Sequence, residues 1–164
     1  MKVELLNPDG WRRWRWLRLR SLLESPDAFG GKYTIEKMFS ESDWRNKFLN
    51  LDFVVATHDE IDIAVMSVEV LIGDYGSTCW IGGCWTDPDS RGQGALRALF
   101  EFLDLHALEK GWKRQGLGVW TDNEAAIAAY QAIGFRAVGE KQASERQLGR
   151  FYLHMVRDSV SQRQ

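Results

Sequence analysis

The 164-residue sequence has only two cysteines, three histidines and no long apolar run. Cys79 and Cys84 are too few for a disulfide framework, so we expect two reduced thiols. The histidines are scattered without metal-ligand spacing, and no bound metal is expected. No stretch approaches the roughly 18 apolar residues of a membrane span, and the first residues lack the apolar core of a signal peptide. The sequence therefore predicts a cytoplasmic protein with no membrane partner.

Prolines are also few, and neither sign of charge is in large excess. The three prolines form no linker, and no internal repeat is present. The formal net charge of -2 at pH 7 gives no overall attraction for nucleic acid, so no nucleic-acid partner is expected. With 45% hydrophobic and 27% charged residues, the composition is that of an ordinary globular protein. We expect one domain over residues 1–164 with one core.

The order of the predicted elements indicates the fold class. Apolar runs bounded by polar turns predict strands, and apolar residues at every third or fourth position predict helices. The predicted strands are 3–6, 53–57, 63–72, 78–86, 116–121, 135–140 and 150–158. The predicted helices are 11–24, 33–50 with a break near Ser40 and Ser42, 94–111 and 123–134. The apolar side of helix 94–111 is marked by Leu96, Leu99, Phe100, Leu103 and Leu108. This order predicts an α+β, or mixed α/β, domain.

The stretch DPDSRGQGALRALFEFL, residues 87–103, joins a predicted strand to the clearest predicted helix. Backbone N–H groups at a helix start have no partner within the helix, and the helix dipole adds positive potential there. Gly92 and Gly94 lack the Cβ that would keep an anion away from these amides. Arg91 adds a charged hydrogen-bond donor. The stretch therefore predicts a phosphate-binding loop.

Three nucleotide-binding motifs compete for this loop. The P-loop pattern G-x-x-x-x-G-K-[ST] is excluded because its spacing and its lysine are absent. The dinucleotide pattern G-x-G-x-x-G is incomplete because Arg97 stands at the third glycine position. The remaining pattern is R-x-x-G-x-[GA], found in coenzyme A acyltransferases. It matches from Arg91 onward, with Leu96 where Gly or Ala is usual.

A second motif begins 29 residues after Gly94, in DNEAAIAAYQAIGFRAVG. It follows the pattern N-x-x-A-x-x-x-Y-x-x-x-G-F at Asn123, Ala126, Tyr130, Gly134 and Phe135. The two motifs together resemble the GNAT family of N-acetyltransferases, in particular its small bacterial members. The segment RLRSLLESPDAF resembles the first helix and acceptor loop of those members. This resemblance implies a central mixed, mostly antiparallel sheet with splayed parallel strands 4 and 5, flanked by about four helices.

The resemblance also implies an activity and a set of site residues. The co-substrate is acetyl-CoA, and the acceptor is a primary amine of a small molecule or a peptide, attacked directly in a ternary complex. Tyr130 would protonate the leaving thiolate, and Glu69 is the first candidate for the general base, followed by Asp43 and Glu41. The residues expected to bind the cofactor are Cys84, Thr86, Arg91, Gly92, Gln93, Gly94, Ala95, Leu96, Asn123 and Tyr130.

Other interpretations remain open at this stage. Leu96 and the uncertain base leave room for a non-catalytic module that binds CoA or acyl-CoA and regulates another process. The arginine-rich segment WRRWRWLRLR would suit an RNA-binding domain, although the net charge favours a solvated helix face. The identity of the acceptor cannot be read from the sequence, and both a monomer and a homodimer are compatible with it.

Overall fold

The computed structural model describes residues 1–160, which contain seven β-strands and five α-helices. The strands form one sheet in the order β1-β2-β3-β4-β5-β7-β6, in which β4 and β5 are parallel. This arrangement confirms the predicted mixed, mostly antiparallel α/β class. The strands are β1 Lys2–Leu5, β2 Asp52–His58, β3 Ile61–Val70, β4 Cys79–Thr86, β5 Arg114–Trp120, β6 Arg136–Ala143 and β7 Phe151–Asp158. The helices are α1 Trp11–Glu24, α2 Tyr33–Glu36, α3 Glu41–Asn46, α4 Ala95–Lys110 and α5 Glu124–Ile133.

The chain forms two compact units, of which the first contains residues 1–69 and 83–102. Aromatic side chains from α1 and α3 build its core against β2. Trp14 stacks on Phe53 with ring centroids 4.2 Å apart, and Trp44 meets Trp14 edge to face. The tryptophans of this region are therefore largely core residues. The helical region 33–50 breaks at Ser40, as the sequence predicted, because the Ser40 hydroxyl accepts from the Asp43 amide and caps α3.

The second unit contains residues 70–82 and the chain from 103 onward. β5 pairs antiparallel with β7 along its whole length. Arg157 of β7 is almost fully buried and donates two hydrogen bonds to Asp104 of α4, at 2.7 and 2.9 Å. Leu108 does not belong to the apolar side of α4 as its spacing predicted. It is exposed, and Ala107 is buried instead.

Candidate functional site

Residues 91–94, which we call the glycine loop, lie in the first unit and lead into α4. Gly92 and Gly94 have φ angles of +77° and +88°, a conformation that side chains with a Cβ rarely adopt. Both residues are exposed, and a Cβ on either would meet no heavy atom within 4 Å. The Gly94 carbonyl accepts from the Ala98 amide at 3.0 Å and starts the helix. The loop therefore presents bare backbone to open space directly ahead of a helix N-terminus.

Asp87 fixes the corner at which β4 turns toward the glycine loop. Its backbone amide donates to the Ile63 carbonyl at 2.7 Å, and its carboxylate accepts from the Asp89 amide at 3.0 Å. The second carboxylate oxygen forms an ion pair with Arg20 of α1. Arg20 also lies over the ring of Trp85. Asp87 is not among the predicted site residues, and the sequence signal of this corner is the Asp-Pro pair that follows a strand.

Arg91, predicted to bind the cofactor, is held by protein groups on two sides. Its Nε donates to the Thr86 carbonyl at 3.0 Å, and its Nη2 donates to Glu24 at 2.9 Å. The indole of Trp85 donates to the same Glu24 oxygen at 2.9 Å. Burial raises the pKa of Glu24, but hydrogen bonds from Ser25, Trp85 and Arg91 outweigh it, so the pKa is lowered. Glu24 is thus an ionised link between α1 and the glycine loop, which the sequence did not reveal.

The start of α4 combines buried and half-buried residues. Ala95 is buried and Leu96 is half-buried, whereas Leu99 and Phe100 are fully covered. The first turn of α4 contains no acidic residue that would compete with an anion for its amides. Leu96 therefore replaces the usual small residue without lying wholly in the core.

The predicted catalytic carboxylates differ in their surroundings. Glu69 of β3 is half-buried, and none of the described residues forms a hydrogen bond or ion pair with its carboxylate. Asp43 instead accepts from the Ser40 amide at 2.9 Å, and Glu41 forms an exposed ion pair with Arg45. Asp43 and Glu41 are thus engaged in local structure, and Glu69 keeps its place as the first candidate. Cys84 of the same unit is half-buried and forms no disulfide bond with Cys79.

The second motif accounts for both ends of α5 in the second unit. The Asn123 side chain accepts from the Ala126 amide at 3.2 Å and caps the helix. Gly134 has φ +115° and ends the helix, and the Phe135 amide then donates to the Tyr130 carbonyl at 3.0 Å. Tyr130 is half-buried, with its ring edge to face with Phe135 at 5.7 Å.

The parallel pair β4–β5 also belongs in part to the second unit. The two strands pair at Cys79–Gln115 and Trp80–Gly116, and β5 continues four residues beyond the second pair. His154 of β7 faces three aromatic rings on this part of the sheet, those of Tyr75, Trp80 and Tyr152, at centroid distances of 5.4 to 5.6 Å. This aromatic cluster was not predicted from the sequence.

The predicted site residues are therefore divided between the units. The first unit holds Glu69, Cys84, Thr86 and residues 91–96, and the second holds Asn123 and Tyr130.

In residues 1–160, no three potential metal ligands lie together. None of the helices described is both long and apolar enough to cross a membrane.

Comparison with known proteins identifies the family. The model of the acetyltransferase (GNAT) family matches residues 13–135. A search against curated protein sequences gave no significant match.

Several solved structures share the fold at low sequence identity. A ribosomal-protein-alanine N-acetyltransferase from Brucella melitensis superposes with a TM-score of 0.71 at 18% identity, covering 96% of this chain and 99% of that one. The Salmonella typhimurium acetyltransferase that modifies the N-terminal serine of ribosomal protein L7/L12 gives 0.73 at 17%, covering 96% and 95%. The yncA protein of the same organism, solved with its cofactor acetyl-CoA, gives 0.71 at 15%, covering 96% and 93%. With both family motifs in place at the start of α4 and around α5, the chain belongs to the GNAT family of acetyl-CoA-dependent acetyltransferases.

Proposed function

We propose that the protein transfers the acetyl group of acetyl-CoA directly to a primary amine of a small molecule or a peptide. The observation that carries the proposal is the glycine loop with its bare backbone ahead of α4. The backbone amides of Gln93, Gly94, Ala95 and Leu96 would bind the pyrophosphate, and any side chain at Gly92 or Gly94 would lie in the same open space. Backbone groups of β4 near Cys84 and Thr86 would pair with the pantetheine arm.

The acceptor amine must lose a proton before it attacks. An alkyl amine has a pKa of about 10.4 and is mostly protonated at neutral pH. Glu69 would accept that proton, directly or through water, because its carboxylate is half-buried and is not engaged by the described residues. The amine nitrogen then bonds to the thioester carbonyl carbon.

Collapse of the resulting tetrahedral species breaks the C–S bond. A backbone N–H of β4 near Thr86 would stabilise the oxyanion. The departing thiolate has a conjugate pKa of roughly 8.5 and gains from a proton donor, a role that we assign to Tyr130. Asn123 would contact the cofactor while it caps α5.

Release of free CoA thiol with a panel of amines tests this function. The panel contains amino acids, their carboxamides, polyamines and peptides with N-terminal serine or alanine. One structural relative modifies the N-terminal serine of a ribosomal protein, and another is a ribosomal-protein-alanine N-acetyltransferase. Amine-dependent thiol release supports the proposal. Acetyl-CoA binding without release for any amine would favour the non-catalytic regulatory module, and absence of binding would contradict both.

The role of Glu69 has its own test. Glu69→Gln should lower kcat most strongly at pH values below the pKa of the amine, because there the amine is protonated and needs a base. The affinity for acetyl-CoA should be unchanged. Glu101→Gln, an exposed carboxylate on α4, is the matched control. An unchanged pH–rate profile for Glu69→Gln would remove Glu69 from the mechanism.

A further inference from the structure

Arg18 of α1 and Glu36 of α2 form a two-pronged ion pair in the first unit. Arg18 Nε donates to Glu36 Oε1 at 2.9 Å, and Nη2 donates to Oε2 at 3.0 Å. The side chains are only 15% and 9% exposed. Such parallel hydrogen bonds fix the plane of the guanidinium group as well as its position. The direction of its third nitrogen, Nη1, is therefore also fixed.

Neighbouring residues enclose the pair on other sides. A Cβ at Gly31 would overlap the Glu36 carboxylate and would lie 2.6 Å from Arg18 Nη2, so only glycine allows the chain to pass this close. The Phe29 ring lies 5.4 Å from the guanidinium carbon. Arg18 and Phe29 are the first and last residues of the segment that resembles the family's first helix and acceptor loop, so the ion pair sits in the region expected to receive the acceptor.

The Nη1 group points toward β4. A Cβ at Gly83, whose φ is +55°, would lie 3.5 Å from Nη1 and 3.7 Å from the Trp14 ring. Among residues 1–160, no acceptor forms a hydrogen bond with Nη1. Nη1, which carries two N–H donors, thus lies beside β4 one residue before Cys84, where the thioester end of the pantetheine is proposed to lie.

We propose that Arg18 Nη1 binds a carboxylate of the acceptor, so that the preferred acceptors are amino-acid-like amines. This inference rests on the proposed acetyl transfer. Both Glu36 oxygens already accept from Arg18, so this site offers an incoming ligand hydrogen-bond donors rather than acceptors. A carboxylate satisfies these donors with a charge-assisted hydrogen bond, which a neutral amide makes more weakly. In an α-amino acid the amine is only two bonds from the carboxylate carbon, so an anion held beside Gly83 keeps the nucleophile near the same strand.

The experiment compares amino acids with their carboxamides as acceptors, using thiol release in wild type, Arg18→Gln and Arg18→Lys. Wild type should favour the acids in kcat/KM by at least about tenfold. Arg18→Gln should abolish this preference. Arg18→Lys should retain part of it, because lysine keeps the positive charge but lacks the planar guanidinium that makes two parallel hydrogen bonds. Arg13→Gln is the matched control. Arg13 lies on the same helix and makes a similar two-pronged pair with Asp62.

Each outcome decides the proposal. Equal use of acids and amides by wild type overturns the proposal, and so does a preference for acids that survives in Arg18→Gln. An equal loss of kcat on every acceptor in Arg18→Gln also overturns it, because that result would indicate oxyanion stabilisation.

If no amine releases thiol, acetyl transfer itself fails. Calorimetry of the CoA-loaded protein with the same acids and amides then decides: acid-selective binding that is lost in Arg18→Gln supports the carboxylate site, and its absence overturns the site. Thermal melts identify any variant that fails to fold, in which case Arg18→Lys carries the comparison.

Discussion

Glu24, the last residue of α1, accepts a hydrogen bond from Arg91 of the glycine loop at 2.9 Å and another from Trp85 of β4 at the same distance. One carboxylate thus links the end of the first helix, a strand of the sheet and the loop proposed to bind pyrophosphate. The loop glycines themselves are exposed, so part of the order of the loop comes from this link.

Glu24→Ala should therefore raise the KM for acetyl-CoA several-fold and lower stability by about 1–3 kcal/mol, because it leaves Trp85 without its acceptor and releases Arg91. Acetyl-CoA titration and thermal melts measure the two effects. Glu41→Ala removes a carboxylate of an exposed i,i+4 ion pair and should change neither by much. A Glu24→Ala enzyme with wild-type KM would show that the loop keeps its shape without the link.

Gly94→Val should weaken acetyl-CoA binding severely. The branched side chain would project into the open space over the loop, and the left-handed backbone would add roughly 1–2 kcal/mol of strain. Gly149→Val separates the two effects, because Gly149 has φ +84° and equally open surroundings in another loop. Calorimetric titration should show an affinity loss of more than about tenfold for Gly94→Val alone. Similar affinities for both variants would count against pyrophosphate binding here.

Leu96→Ala should leave acetyl-CoA affinity within about tenfold, since the backbone amide is kept. The side chain is half-buried, so we expect a stability loss of about 1 kcal/mol, below the ~2–5 kcal/mol for a fully buried leucine. Leu99→Ala, in the fully buried position of the next turn, provides that comparison. Much tighter CoA binding in Leu96→Ala would mean that the leucine obstructs the loop.

Tyr130→Phe should lower kcat by about 10²-fold or more, with little change in acetyl-CoA affinity, if the hydroxyl protonates the leaving thiolate. Steady-state kinetics with an active acceptor and a parallel CoA titration give the two values. The ring and its contact with Phe135 are kept in this variant. Unchanged kcat would leave Tyr130 with a packing role only.

The two thiols should differ in reactivity. Burial raises the pKa of Cys79 to about 12, whereas Cys84 is half-buried. A disulfide reagent at pH 8 should modify Cys84 first and Cys79 only after unfolding. Because the folded pKa of Cys79 exceeds the unfolded value of about 8.5, its contribution to stability is complete below pH 8.5 and falls as pH rises toward 12. Denaturant unfolding across this range should be less pH-dependent in Cys79→Ala.

Local sequence determined much of this protein. The second motif encodes a helix together with its caps, since Asn123 satisfies an amide at one end and Gly134 adopts the left-handed turn at the other. The positive φ angles of Gly92 and Gly94 likewise follow from residue type. Such features depend on interactions within a few residues, and for this reason they could be predicted. The succession of strands along the chain and the family could be predicted as well.

Tertiary structure decided what depends on residues distant in sequence. The spacing of α4 placed Leu108 on its apolar side, but in the folded chain Ala107 is buried and Leu108 is exposed. The α1 arginines read as a solvated face, yet Arg18 and Arg20 find carboxylates 18 and 67 residues away, and Glu24 meets Arg91 across 67 residues. A charged side chain pairs with whichever partner the fold brings near, because a largely buried charge is stable only when it is paired. Periodicity places such a side chain on a helix face, and only the packed chain selects its partner.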